Sequence, residues 1–461
     1  MSLPAILSRI DADIDGSLAR LFDFLRIPSI STDPAYDRQC REAADWVART
    51  MTAFGIPAEV RNTPGKPMVV GHGPDPAAAS GKPTVLFYGH YDVQPVDPLA
   101  LWETDPFEPR IVTRPDGSRI IVARGAADDK GQLMTFLEAA RATIAETGGL
   151  PVKVTVLIEG EEESGSPSLH PFLDRHGEEL KADAALVCDT GMWDRETPAI
   201  SISLRGLVGE EFVVTAADKD LHSGLFGGAA RNPNHVVAEI LAALHDADGR
   251  VRIPGFYAGV GEVPPAVKAQ WDRLRLTAAD FLGQVGLHTP AGESGRSVLE
   301  QVWSRPTCEV NGMIGGYVGE GFKTVIPSKA SAKVSFRLVG DQDPIAVRDS
   351  FRAFVKARIP DDCTVAFQSH GASPALSIPL DWPMIEVGRR ALEAEWGKAA
   401  VLSGMGGSIP IVHAFRTRLG MNSLLVGFGL DDDRIHSPNE KYEMSSFHKG
   451  IRSWARILAA L

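Results

Sequence analysis

The chain has 461 residues, of which 44% are hydrophobic and 23% are charged, so its composition excludes an intrinsically disordered chain. Its length favours two domains that each bury a core. The 59 acidic and 47 basic residues give a formal net charge of −12, which disfavours non-specific binding to nucleic acid or to an anionic membrane. We therefore expect neither a nucleic-acid partner nor a membrane partner.

The four cysteines lie far apart in the sequence and form no CxxC pair. This spacing argues against a disulfide scaffold and against a structural zinc knuckle. The first residues show no basic flank followed by a long apolar stretch, and no run of about 18 apolar residues occurs in the chain. From these features we expect a cytoplasmic protein.

The first part of the chain alternates between strand-like and helix-like segments. Apolar runs at 84–88, 152–158 and 184–188 predict strands, and the pattern from about 132 to 145 predicts a helix. Several of these strands are almost continuously apolar, which indicates a parallel sheet covered on both faces.

The pattern changes near residue 199. Segments 211–215 and 332–338 alternate with period two, as half-exposed antiparallel strands do, and a helix is predicted between them from about 234 to 245. The earlier pattern returns from about 382, with a last buried strand at 424–428 and a helix from about 445. We therefore predict an α/β domain in two parts, residues 1–198 and 381–461, interrupted by an inserted α+β domain at 199–380.

Acidic residues and one histidine follow the ends of the predicted strands. His90 and Asp92 follow one strand, the glutamate-rich segment 159–163 follows another, Asp189 follows a third, and Asp128 precedes a helix. In an open parallel sheet the strand ends meet at the ligand crevice, where this many carboxylates repel each other unless a cation neutralises them. Imidazole and carboxylate ligands suit zinc, manganese or cobalt, and the acids are numerous enough for two ions.

Each of these patterns also has a purely structural explanation. A histidine after a strand is often a buried or surface residue, the glutamate run could form a solvated turn, and Asp128-Asp129 could cap the following helix. The conjunction of all three patterns favours a metal site. Spacing alone leaves open which glutamate binds a metal ion.

Five segments of the chain together resemble a known family. They are His90 to Pro95 (HYDVQP), Arg124 to Gly131 (RGAADDKG), Glu159 to Ser166 (EGEEESGS), Leu221 to Gly224 (LHSG) and His436 to Glu440 (HSPNE). In this order they resemble the M20 metallopeptidases, particularly the dipeptidase branch related to carnosine dipeptidase, from about residue 20 to the C-terminus. The resemblance implies a zinc-hydrolase catalytic domain in the two outer parts and a lid and dimerisation domain in the insert.

The resemblance also implies a set of metal ligands. By this likeness His90 and Asp189 bind one metal ion, Glu163 and His436 bind the other, and Asp128 bridges the two. The implied ions are two divalent cations, with zinc expected and manganese or cobalt as the alternatives.

The implied reaction is hydrolysis of a dipeptide or short peptide by a hydroxide that bridges the two ions. Glu162 is the implied general base, and Asp92 is implied to hold the His90 imidazole in its metal-binding tautomer. The resemblance further implies a cis peptide bond between Asp128 and Asp129.

Four more residues are implied to act on the substrate. His222 would stabilise the oxyanion in the partner's active site of a homodimer formed through the inserted domain, and Thr324 would also be delivered by the partner. Arg337 would bind the free carboxylate of the substrate, with Ser408 assisting.

The chain departs from the dipeptidase pattern at one place. Gly404-Met405 stands where this branch commonly has Arg-Glu before Gly-Gly-Ser. This change leaves open an N-acyl-amino-acid amidohydrolase, which would use the same metal core on an N-acyl amino acid. The long segment 249–305 favours the dipeptidase. A non-catalytic metal-binding scaffold is disfavoured because every implied ligand and Glu162 are present.

Overall fold

The computed structural model describes residues 2–74, 81–407 and 409–461, and these fall into two compact units. Unit 1 comprises Met1–Ile202, Ile378–Ser403 and Pro410–Leu461, and unit 2 comprises Ser203–Ser377 and Gly404–Ile409. Among the described helices, none combines the length and the apolar character needed to cross a membrane.

The strands are numbered in chain order. They are β1 (Ala58–Arg61), β2 (Met68–His72), β3 (Thr84–His90), β4 (Arg110–Thr113), β5 (Arg119–Val122), β6 (Lys153–Glu159), β7 (Ala184–Val187), β8 (Ala199–Leu204), β9 (Gly206–Thr215), β10 (Leu221–His222), β11 (Thr307–Gly315), β12 (Val325–Ile326), β13 (Lys329–Leu338), β14 (Thr364–Ser373), β15 (Leu376–Ser377), β16 (Val401–Met405), β17 (Ser423–Leu425) and β18 (Lys441–Glu443).

The α-helices are numbered in the same way. They are α1 (Leu3–Ala12), α2 (Ile14–Leu25), α3 (Asp37–Ala53), α4 (Lys130–Thr147), α5 (Leu169–Leu180), α6 (Ser223–Phe226), α7 (Pro233–Ala242), α8 (Pro265–Leu274), α9 (Ala278–Gly283), α10 (Val298–Trp303), α11 (Pro344–Lys356), α12 (Pro383–Trp396), α13 (Pro410–Leu419) and α14 (Met444–Ala460).

The main sheet of unit 1 has the order β1-β2-β6-β3-β7-β17-β8. Its centre is parallel, because β3 pairs in parallel with both β6 and β7, and β7 pairs in parallel with β17. The strands at the two sides of this centre are antiparallel. The ends of β3, β6 and β7 therefore open at one edge of the sheet, as the sequence predicts for the ligand crevice.

Aromatic packing fixes β3 against helices α4 and α14. Phe87 of β3 stacks on Phe136 of α4 with ring centroids 3.7 Å apart, and Trp454 of α14 packs edge-on against both rings. All three side chains are fully buried. This rigid core sets the position of the strand ends where the polar side chains lie.

Unit 2 is built on a four-stranded antiparallel sheet with the order β11-β13-β9-β14. Strands β9 and β13 alternate buried and half-buried or exposed residues, and their buried face includes Phe212 and Phe336. These two rings pack against Phe351 of α11. One face of the sheet therefore forms the core of unit 2, and the other carries the polar side chains.

The predicted fold class, a mainly parallel α/β sheet with an inserted α+β domain, is confirmed. The structure adds elements that the sequence analysis does not predict. These are the antiparallel β1-β2 pair, the small β4-β5-β18 sheet and the two outer strands of the unit 2 sheet, β11 and β14.

Candidate metal centre

The strand register brings the first set of polar residues together. His90 is the last residue of β3 and lies opposite Glu159, the last residue of β6. Asp189 lies two residues beyond β7, which pairs with β3 on its other side. Glu162 and Glu163 begin a short 3-10 helix just after β6.

Two groups of side chains have the geometry to hold a metal ion. One consists of His90, Glu162 and Asp189, and the other of Asp128, Glu163 and His436. In each group the potential ligand atoms lie within 4.8 Å of one another. The structure thus brings all the sequence-predicted ligands into two neighbouring clusters.

Asp128 lies at the border of the two clusters. Its Oδ1 is 3.2 Å from His90 Nε2, and its Oδ2 is 2.9 Å from His436 Nε2. His436 Nε2 is also 3.2 Å from Glu163 Oε2. Each carboxylate oxygen of Asp128 therefore faces a different imidazole, which is the arrangement that a bridging ligand requires.

Asp92 connects one residue of each cluster. His90 Nδ1 lies 3.1 Å from the Asp92 backbone oxygen and 3.3 Å from its Oδ1, while Oδ2 accepts a hydrogen bond of 3.0 Å from the Glu163 backbone N–H. Gln94 Nε2 donates to Glu163 Oε2 at 2.8 Å. Gln94 belongs to the HYDVQP motif, but the sequence alone assigns it no role.

The Asp128-Asp129 pair does not cap helix α4. Asp129 occupies the N-cap position, but its side chain makes no capping hydrogen bond. Instead its Oδ2 accepts the His90 backbone N–H at 3.1 Å. The peptide bond between Asp128 and Asp129 is cis, as the resemblance implies. The capping explanation is therefore wrong, because the Asp129 side chain supports the end of β3.

Glu440 supports the loop that carries Asp128. Its fully buried carboxylate pairs with Arg124 Nη1 at 2.9 Å and accepts the backbone N–H groups of Gly125, Ala127 and Asp128 at 2.8, 2.8 and 3.1 Å. Glu440 belongs to the HSPNE motif, but the sequence alone assigns it no role. Four hydrogen bonds to one carboxylate fix the loop over a sequence separation of more than 300 residues.

The loop that carries His436 has an unusual backbone. His436 has a φ of +61°, and Arg434 and Asn439 have φ values of +58° and +61°. These left-handed conformations cost energy in residues other than glycine. Asn439 fastens the loop, since its Oδ1 accepts the Glu103 backbone N–H and its Nδ2 donates to the Leu101 oxygen, each at 2.9 Å.

The pKa values of Glu162, Glu163 and Asp189 in the two clusters are raised, because these carboxylates are buried and lie close to other acidic groups. Burial raises the pKa of Glu162 to about 9, with His90 opposing and nearby carboxylates adding to the effect. Burial and Asp128 raise the pKa of Glu163 to about 7 and that of Asp189 to about 6. Hydrogen bonds to Asp128 and Glu163 raise the pKa of His436 to about 10.

The residues present fit divalent cations. Burial and neighbouring carboxylates raise the pKa values of Glu162, Glu163 and Asp189, and positive charge at the two clusters would lower them again. His90 Nε2 is buried and has no hydrogen-bond partner among the described residues, although Asp128 Oδ1 is nearby. Imidazole nitrogens with carboxylate oxygens are suitable ligands for zinc, manganese or cobalt.

The other sequence-predicted residues lie in unit 2. His222 and Thr324 are exposed neighbours, since β10 pairs with β12 and the Ser223 backbone N–H donates to the Thr324 oxygen at 3.1 Å. Arg337 is half-buried on β13. Ser408 lies outside the described residues.

Comparison with known proteins gives consistent matches. Residues 86–460 match the description "Peptidase family M20/M25/M40". The chain is 32% identical over 469 residues to a Cys-Gly metallodipeptidase of Schizosaccharomyces pombe, covering 98% of this chain and 97% of that protein. It is 28% identical over 479 residues to the Beta-Ala-His dipeptidase of Homo sapiens, covering 98% and 92%.

A solved structure shows the same architecture. The M20 family metallo-carboxypeptidase Sso-CP2 from Sulfolobus solfataricus has a TM-score of 0.82 and 30% sequence identity, covering 96% of this chain and 98% of that chain.

Proposed function

The chain belongs to peptidase family M20/M25/M40 and is a metal-dependent hydrolase, and we propose that it is a two-metal exopeptidase that cleaves dipeptides or short peptides. The observation that carries this proposal is the pair of ligand clusters that meet at Asp128. The two dipeptidases described above support the choice of substrate, because the similarity extends over nearly the whole chain.

The metal-binding roles follow the two clusters. His90 and Asp189 would hold one ion, Glu163 and His436 the other, and Asp128 both. We propose zinc, with manganese or cobalt as alternatives that the same donor set accepts. When bound, two such ions polarise the scissile carbonyl and lower the pKa of the attacking water toward about 7.

Glu162 is the proposed general base. It accepts a proton from the attacking water and returns it to the departing amine. Its place beside His90 and Asp189 puts its carboxylate at one of the two clusters. Asp92, through its contacts with His90 Nδ1, holds that ring so that Nε2 faces the metal site.

His222 is proposed to stabilise the oxyanion of a partner subunit. Its Nδ1 accepts the Gly224 backbone N–H at 3.0 Å, so the neutral ring carries its proton on Nε2. An exposed Nε2–H is a suitable donor to an oxygen that becomes negative. Thr324, beside it, would act in the same partner site, while Arg337 and Ser408 would bind the substrate carboxylate.

We propose that unit 2 forms a homodimer, because it exposes an apolar strand edge. Strand β11 is the outer strand of its sheet and exposes Met313 and Ile314, and the following loop exposes Phe322 at 91%. Leu225, three residues after His222, is exposed at 78%. Unpaired edge strands with exposed apolar side chains favour association with another chain.

A cytoplasmic location is also proposed. Its support is that all four cysteines, which are Cys40, Cys188, Cys308 and Cys363, are buried free thiols. Free thiols of this kind are typical of a reducing compartment.

The test of the proposed function is a substrate panel assayed with the purified, metal-loaded enzyme. Dipeptides are compared with N-acetyl and N-succinyl amino acids, before and after chelation. We expect turnover of dipeptides that chelation abolishes and added zinc restores. Turnover confined to the acyl compounds would instead support the amidohydrolase, which the Gly404-Met405 departure keeps as the second candidate.

A further inference from the structure

Arg205 and Arg337 lie on the same face of the unit 2 sheet. Arg337 is paired in register with Leu207, and Arg205 precedes Leu207 by two residues. Since side chains alternate with period two, both arginines belong to the face opposite the buried aromatic core. The burial pattern agrees, because Leu204 and Gly206 are buried and Arg205 is half-buried between them.

Among the described residues, these two guanidiniums have no carboxylate at ion-pair distance. Glu309 attracts Arg205 only at longer range. Other partly or fully buried arginines of unit 2 are paired, for example Arg305 with Glu293 at 2.9 Å and Arg352 with Glu210 at 2.7 Å. Burial, and then repulsion by Arg337, lowers the pKa of Arg205 to about 10.

The backbone holds Arg205 in this position. Its N–H donates to the Met405 oxygen and its Nε donates to the Gly406 oxygen, each at 3.3 Å. A Cβ atom on Gly406 would lie 3.1 Å from Arg205 Nη2, which is a tight contact. Glycine at 406 therefore leaves room for the guanidinium. The segment that departs from the dipeptidase pattern, Gly404-Met405, is thus in direct contact with Arg205.

We propose that Arg205 is a second carboxylate-binding residue, which acts together with Arg337 on the free carboxylate of the substrate. This inference rests on the proposed function, which supplies a substrate with such a group. One carboxylate offers two oxygens and about four lone-pair positions, so two guanidinium forks can share it. Its negative charge attracts both arginines and thereby offsets the repulsion between them.

The test uses the full-length, metal-loaded enzyme and a substrate pair that differs only in the C-terminal group. The kcat and KM values are measured for a dipeptide that the wild type cleaves and for the same dipeptide as its C-terminal amide. The variants are Arg205→Ala, Arg205→Lys and Arg337→Ala. Arg348→Ala, in α11, is the matched control because Arg348 is a half-buried arginine of the same unit that pairs with Asp349 at 3.5 Å.

We expect Arg205→Ala to lower kcat/KM for the free acid by about 10- to 100-fold, mainly through a higher KM. For the amide, kcat/KM should stay within about twofold of the wild-type value. Arg205→Lys keeps the positive charge but loses the two-pronged guanidinium geometry. Its kcat/KM for the free acid should therefore lie between the values for the wild type and Arg205→Ala. Arg348→Ala should behave as the wild type. The double variant, Arg205→Ala with Arg337→Ala, should lose less than the product of the single effects, since both residues bind one group.

The proposal is overturned if Arg205→Ala lowers kcat/KM for the free acid and for the amide by the same factor, or if it changes kcat/KM for neither substrate. A second measurement guards against misfolding: inhibition by the product amino acid should weaken about 10- to 100-fold, and inhibition by its amide should stay constant. If the wild type cleaves N-acyl amino acids rather than dipeptides, the proposed function fails. The role of Arg205 is then decided by the same comparison on an N-acyl amino acid and its amide.

Discussion

The candidate metal centre of unit 1 and the residues of unit 2 that are proposed to bind the substrate differ in how the protein surrounds them. His90, Asp92 and Asp128 are buried, and each contacts another residue of the centre. His222 and Thr324 are exposed, and their neighbours within unit 2 are mainly backbone groups. The first set gets its geometry from the core of its own unit, whereas the second set is proposed to act on a substrate or in a partner subunit.

Asp128→Ala is expected to have the largest effect, because it removes a carboxylate whose two oxygens face one imidazole of each cluster. Both ions should bind more weakly, and kcat/KM should fall by about 10⁴-fold or more. Elemental analysis of the dialysed protein measures the metal content directly. Retention of two ions per chain by Asp128→Ala would contradict the bridging role.

Glu162→Gln should separate chemistry from metal binding in the same centre. Removal of a general base lowers kcat by about 10²- to 10⁴-fold, while both ions should remain. Glu161→Gln is a matched control, because Glu161 is the preceding glutamate but its Oε2 accepts the Ser168 backbone N–H at 3.2 Å, away from the two clusters. Near-wild-type turnover by Glu162→Gln would show that another group takes the proton.

The sequence predicts the strand ends of unit 1 well because strand periodicity and acidic residues are local signals. The predicted strands at 84–88, 152–158 and 184–188 correspond to β3, β6 and β7. The outer strands β11 and β14 escape prediction because they are largely exposed on both faces, which weakens the period-two pattern. Spacing alone also could not tell Glu162 from Glu163, which the fold places in different clusters.

The supporting residues of the site could not be predicted for a different reason. Glu440 acts through backbone N–H groups more than 300 residues away, and Gln94 through the side chain of Glu163. In the sequence, Arg205 is one arginine followed by a glycine and belongs to none of the five motifs. Its proposed role as a carboxylate-binding residue depends on the pairing of β9 with β13. Such contacts depend on long-range register, which no local pattern encodes.

Mixing two inactive variants tests whether the exposed residues of unit 2 act across a dimer. His222→Ala and Glu162→Gln subunits, unfolded together and refolded, should recover about a quarter of the wild-type activity, since half of the dimers are mixed and one site in each is complete. Activity assays are read beside native mass spectrometry. Proven mixed dimers without recovered activity would contradict the role in trans.

The smallest expected effect concerns a buried carboxylate of unit 2 that lies outside the proposed substrate site. Glu300, in α10, completes a capping box with Ser297 and pairs with Lys268 at 3.1 Å and Arg296 at 3.3 Å. Burial raises the pKa of Glu300, but hydrogen bonds from Ser297, Lys268 and Arg296 outweigh it and lower the pKa to about 2. The carboxylate of Glu300 is thus paired with residues of unit 2 itself, unlike the guanidiniums of Arg205 and Arg337, which have no ion-pair partner among the described residues.

A carboxylate whose pKa is lower in the folded than in the unfolded protein stabilises the folded state at pH values above the unfolded-state pKa. This stabilisation is lost as the pH falls toward the folded-state pKa. The lowered pKa of Glu300 therefore stabilises the folded state near pH 6, and this contribution declines as the pH falls below 4.5 toward about 2. Hydrogen exchange of the α10 amides should show protection that falls between pH 6 and pH 3 in the wild type. Glu300→Gln should show low protection at both pH values, and Glu386→Gln, a substitution of a half-buried glutamate in α12 of unit 1, should follow the wild type. An unchanged pH dependence in Glu300→Gln would mean that the helix gains its stability from apolar packing rather than from this ion pair.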